Sequence, residues 1–106
     1  MASAHERPNF ILIMTDQQRG DCLSLAGHPV LLTPNMDNIG GRGAFFRRAY
    51  STCPSCIPAR RSLMVGQFPP TNGMVGFRGG IEWESPPTLP GVLRDAGYHT
   101  AIVGRN

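Results

Sequence analysis

The longest unbroken apolar run, Phe10 to Met14, sits between Pro8 and the polar stretch Thr15 to Gly20. A continuous run of that kind predicts a strand buried on both faces, as in parallel sheets. Asp16 and Gln17 then fall at the strand's C-terminal end, the edge at which open α/β sheets bind ligands. Thr33 and Pro34 read as the cap and first residue of a short helix that includes Met36, Asp37 and Ile39 and stops at Gly40 and Gly41. A second strand is expected over 44–50. After a loop over 51–58, Pro58 suits the first turn of a helix that continues from Ala59 to Val65 and ends at Gly66. Residues 67–87 are rich in Gly and Pro and read as a long connection. Leu89, Val92, Leu93 and Ala96 repeat at helical spacing behind a Thr88 cap, Gly97 closes that helix, and 100–103 reads as a third strand.

Strands alternating with helices predict an α/β protein with a parallel sheet. Such sheets normally need about five or more strands, and three are legible here. The chain has 106 residues, 41% of them hydrophobic, enough for one small domain over 1–106. Thirteen glycines and ten prolines imply many turns. No apolar run approaches the roughly 18 residues of a membrane span, and no signal peptide is visible, so the expectation is a cytoplasmic protein with no membrane partner. The formal charge of +3 comes from ten arginines spread along the chain and offers no basic stripe for nucleic acid. Three cysteines, Cys22, Cys53 and Cys56, lack the spacing of a disulfide framework and suit a reducing compartment. The sequence leaves the oligomeric state open.

The residues from Cys56 to Gly66 carry the sharpest chemical pattern: Cys56, Pro58 and Arg60 at alternate positions, then Leu63, Met64 and Gly66. A cysteine at the start of a helix is by itself most often a small hydrophobe in the core. Cys53 and Cys56 also form a Cys-x-x-Cys pair, but no second pair and no thioredoxin-like order accompany it. Asp16 and Gln17 offer hard oxygen atoms suited to Ca²⁺ or Mg²⁺ and not to soft metals. Trp83, Glu82 and Glu84 read as a solvated loop tip, while Arg61 and Arg78 are weaker candidates for anion contact. His5, His28 and His99 carry no catalytic signal.

This pattern resembles the nucleophile segment of the type I, formylglycine-dependent sulfatases. The resemblance extends to Pro8 through Gln17, Thr33 through Asp37, Thr88 and Leu89 with Leu93, Asp95 through Thr100, and Val103 with Gly104, all in the family's order. It implies an alkaline-phosphatase-like α/β/α sandwich with a mostly parallel central sheet, of which this chain is an N-terminal portion, incomplete and inactive alone. It further implies hydrolysis of sulfate esters of small molecules or sugars. Cys56, oxidised to formylglycine by a formylglycine-generating enzyme, is the nucleophile, and Arg60 stabilises it. Asp16, Gln17 and the oxidised Cys56 would bind Ca²⁺, with Mg²⁺ or Mn²⁺ as alternatives. Where the family has Gly-Lys-x-His, this sequence reads Gly104, Arg105, Asn106, so Arg105 takes the place of the sulfate-binding lysine. The Asp-Gln pair is similar to that of the choline-sulfatase and phosphonate monoester hydrolase branches. Phosphonate or phosphodiester hydrolysis on the same fold is the alternative reading, and a non-catalytic remnant serving as an interaction module is another.

Overall fold

A helix closes its hydrogen bonds within a short stretch of sequence, and such stretches are where regular structure forms in this protein. A computed structural model of the chain describes residues 7–77 and 86–104. Its elements are a 3₁₀ turn, Ser24–Ala26, and four helices: α1, Pro34–Arg42; α2, Cys56–Val65; α3, Pro69–Asn72; and α4, Leu89–Asp95. None is long and apolar enough to cross a membrane. The chain divides into two compact units, Met1–Arg48 and Ala49–Asn106.

In the first unit, α1 packs on the 3₁₀ turn. Thr33 occupies the expected N-cap position and Pro34 follows it, yet the Thr33 side chain makes no capping bond. Its hydroxyl instead donates to Asp37 Oδ1 at 2.8 Å and accepts from the Ser24 amide at 2.9 Å. Asp37 also accepts from the Leu25 amide at 3.1 Å and from the Ser24 hydroxyl. A polar knot thus ties the helix to the turn. The helix does not stop at Gly40 and Gly41 but continues to Arg42, with Gly43 as its C-cap. At Gly40 the turn packs close: a Cβ there would lie 2.6 Å from Leu25 Cδ2.

In the second unit, α2 packs on α3 and α4. Helix α2 starts at Cys56, with Pro58 in its first turn as expected. Pro58 is then the third helical residue, still within the turn whose amides have no intrahelical acceptor, so its missing N–H costs nothing. Gly66 ends α2 in the left-handed region at φ 66°, with its amide on the Ser62 carbonyl. The region read as an unbroken connection contains α3, started by Pro69 and Pro70 and ended by Gly73 at φ 76°. Thr88 does cap α4, accepting from the Gly91 amide at 3.3 Å. Past Ala96, the Gly97 amide reaches the Arg94 carbonyl and the Tyr98 amide the Leu93 carbonyl, the paired bonds of a Schellman ending.

Among the described residues no strand is formed. The segments expected to be strands, 10–14, 44–50 and 100–103, carry side chains open to solvent: Ile11 is 85% exposed and Val103 98%. A strand, unlike a helix, has no hydrogen bonds of its own and exists only against a partner. The three cysteines form no disulfide.

Candidate active site

Helix α2 separates two faces. Pro58, Arg61 and Ser62 are buried, Pro58 almost completely. At about 100° of rotation per residue these three share one side, and Cys56 and Arg60, four apart, share the other. Cys56 is exposed and Arg60 half-buried. Ser55, in extended conformation, is the N-cap, which makes Cys56 the first residue of the helix. The helix N-terminus places partial positive charge beside the thiol. The Cys56 thiol therefore has a cationic side chain one turn away and a helix N-terminus beside it, on the side of the helix that packing leaves open.

The second group of candidate residues lies in the first unit. Asp16 and Gln17 form a bend with both side chains exposed. Gln17 has φ 54°, the one non-glycine residue in the left-handed region among those described. Such a conformation is uncommon for a side-chain-bearing residue and concentrates at functional sites. The donor set fits a hard divalent cation in kind, a carboxylate followed by an amide oxygen, and supplies two of the six to eight oxygens that Ca²⁺ takes. No cluster of three or more His, Cys, Asp or Glu able to hold a metal exists among the described residues. Arg105 lies outside the described residues, as do Arg78, Glu82, Trp83, Glu84 and His5. Arg61, weighed as an anion contact, is only 8% exposed and belongs to the packed face of α2.

Sequence reasoning passed over Asn72. Its side chain is 8% exposed and makes three hydrogen bonds: Nδ2 donates to Ser62 Oγ at 3.1 Å and to the Gln67 carbonyl at 3.1 Å, and Oδ1 accepts from the Met74 amide at 3.0 Å. His28, read as carrying no catalytic signal, serves its own turn: Nδ1 accepts from the Leu31 amide at 2.9 Å and the Val30 amide at 3.3 Å. Asn72 followed by Gly73 is an ordinary turn signal, and nothing in the local pattern connects it with a serine ten positions earlier.

Known proteins supply the context for these residues. An arylsulfatase of Clostridium perfringens is 40% identical over 99 residues, covering 93% of this chain and 21% of the relative. A choline-sulfatase of Rhizobium meliloti is 36% identical over 100 residues, covering 93% and 19%. A human N-acetylgalactosamine-6-sulfatase is 32% identical over 117 residues, covering 98% and 22%. The chain thus spans about a fifth of the length of the curated relatives it matches. No solved structure matches it. The family model described as Sulfatase matches residues 8–106, which takes in Asp16, Gln17 and all of α2 and implies the α/β class. Both candidate groups therefore lie inside one continuous match, and the chain belongs to the sulfatase family.

Proposed function

We propose that this segment is the nucleophile-bearing, N-terminal part of the catalytic domain of a sulfuric ester hydrolase. The observation that carries the reading is the build of α2: Pro58 buried in its first turn, Gly66 closing it in the left-handed region, and Cys56 and Arg60 left together on the open face. Each residue of the pattern thereby has a physical task. Cys56 is the position converted to formylglycine, whose hydrated aldehyde attacks sulfur and later expels sulfate by re-forming the aldehyde. Arg60 and the α2 N-terminus hold negative charge at that position. Asp16 and Gln17 are the residues that would hold a divalent cation, which when bound polarises the ester oxygens as a Lewis acid. Arg105 would contact the sulfate as a planar fork in place of a compact ammonium. The central parallel sheet of the α/β/α sandwich belongs to the same proposal.

The substrate is a sulfate ester, of the kind named in the arylsulfatase, choline-sulfatase and N-acetylgalactosamine-6-sulfatase relatives. The partner that activates it is a formylglycine-generating enzyme, which reads Cys56 to Arg60 as an extended peptide before folding. Co-expression with that enzyme should lower the intact mass by about 18 Da, with the change confined to Cys56, as the thiol-bearing carbon becomes an aldehyde. Cys22 and Cys53 should stay unmodified, because neither is followed by Pro and Arg two and four places on. The full-length protein should then hydrolyse aryl sulfates, and Cys56→Ser should abolish turnover. A thiol retained at Cys56 while a control peptide is converted would sink the mechanism. A preference for phosphonate or phosphodiester analogues above about a hundredfold, roughly 2.7 kcal/mol, would move the assignment to phosphorus esters.

A further inference from the structure

We infer that Asn72 is a positioning residue for the α2 nucleophile, acting as a rotational lock on the helix that carries Cys56 and Arg60; the inference rests on the reading just given of that helix. The packed side of α2 is made of Pro58, Arg61 and Ser62, and its open side holds Cys56 and Arg60. Contact between apolar groups is non-directional, so burial of Pro58 tolerates small rotations of the helix about its axis. A hydrogen bond does not, because its strength falls steeply with misalignment.

Asn72 applies that directional restraint from outside the helix. One amide hydrogen goes to Ser62 Oγ, on α2 itself, and the other to the Gln67 carbonyl, on the segment that leaves α2. The amide oxygen accepts from the Met74 backbone, which fixes the side chain to the turn that follows α3. All three bonds lie between 3.0 and 3.1 Å, and Asn72 is 8% and Ser62 4% exposed, so the bonds to Ser62 and from Met74 are shielded from water and the one to the Gln67 carbonyl is partly so. The short helix α3 starts on two prolines and ends on Gly73 at φ 76°, which gives Asn72 a stiff mount. A rotation of α2 that kept its apolar contacts would break the bond to Ser62, and the same rotation would swing Cys56 and Arg60 on the opposite side. The lock and the reacting groups are thus two ends of one lever across the helix diameter.

The test uses the full-length protein, with turnover of an aryl sulfate expressed per mole of formylglycine found by mass spectrometry. Asn72→Ala should lower kcat by about ten- to a hundredfold, the range for displacing a catalytic group by a fraction of an ångström to one ångström. KM should stay within about twofold and formylglycine content should not change, since the modification precedes folding. Met74→Ala removes an apolar side chain, 7% exposed, from the same unit and serves as the control for lost stability. At an equal fall in Tm it should leave kcat within about twofold. Ser62→Ala should reproduce the kcat loss of Asn72→Ala, and the double variant should be no worse than either single one. Equal kcat losses in Met74→Ala and Asn72→Ala, or full additivity in the double variant, would overturn the positioning role. A wild-type protein that carries formylglycine and turns over while Asn72→Ala matches its kcat would do the same and leave the sulfatase reading standing. A wild type with no formylglycine and no turnover would remove both.

Discussion

Asp37 accepts three hydrogen bonds at once, and its carboxyl is held below the ordinary carboxylate range. The Ser24 hydroxyl is the largest cause; desolvation opposes it, and the Thr33 hydroxyl and Leu25 amide add to it. A group whose folded value is depressed contributes stability above its unfolded value, about 3.9 for Asp, and loses it as pH falls through the folded value. Protection of the Leu25 amide against hydrogen exchange, corrected for intrinsic rates, should therefore hold at pH 5 and decline as the solution is acidified below pH 4. Asp37→Asn should flatten that dependence, and a profile unchanged by the substitution would contradict the knot. At Gly66 the left-handed backbone makes the reason for glycine local: in the full-length protein Gly66→Ala should cost about 1–2 kcal/mol by chemical denaturation, without changing conversion of Cys56. Such residues differ in how far the sequence reveals them. Cys56, Pro58, Arg60 and Gly66 stand at fixed short offsets along one helix and are legible there, whereas Asn72 and Ser62 meet only because α3 folds back on α2.

The same division holds among elements. Thr88, Gly97 and the apolar spacing of α4 were readable because capping and helical hydrogen bonds join residues a few places apart. Thr33 shows the limit: its position as N-cap is legible, but its hydroxyl is taken by Ser24 and Asp37, and no local rule anticipates that competition. Strand pairing is the extreme case, since 10–14 and 100–103 carry apolar composition but no information about their neighbours. The packing of α1 on its 3₁₀ turn gives an element-scale prediction. A methyl at position 40 would meet Leu25 Cδ2 at 2.6 Å, close enough that the leucine must change rotamer or the helix must shift. Gly40→Ala gains helix propensity of about 1 kcal/mol, so the outcome weighs that gain against overpacking of about 1–3 kcal/mol. A net loss in stability is expected for Gly40→Ala, and a gain for the double variant Gly40→Ala with Leu25→Ala relative to Leu25→Ala alone. Paired denaturation curves of the four proteins at full length decide it.

At the scale of the whole molecule, what matters is how little apolar surface the described residues bury. Met74, 7% exposed, is the one large hydrophobic side chain buried among them, while Phe10, Ile11, Leu12, Ile13 and Met14 are between 45% and 85% exposed. Burial of apolar area is the dominant favourable term in folding, at about 25 cal/mol per Å², and it must offset roughly 1–2 kcal/mol of backbone entropy for each ordered residue. Local hydrogen-bonded features such as the Asp37 knot and the α4 ending hold individual turns in shape, but they cannot supply that term. The 106-residue chain expressed alone should therefore retain helical far-UV circular dichroism, bind a hydrophobic dye strongly, and lack a sharp thermal transition in the near-UV, the behaviour of a state with secondary structure and loose packing. The 10–14 segment should contribute most of the dye binding, because it is the longest continuous apolar stretch in the sequence and is exposed throughout. Replacing Ile11 and Ile13 together by Thr keeps β-propensity while removing much of that apolar surface, and should reduce dye fluorescence severalfold. A cooperative near-UV transition with little dye binding in the unsubstituted chain would show that these side chains are covered in solution.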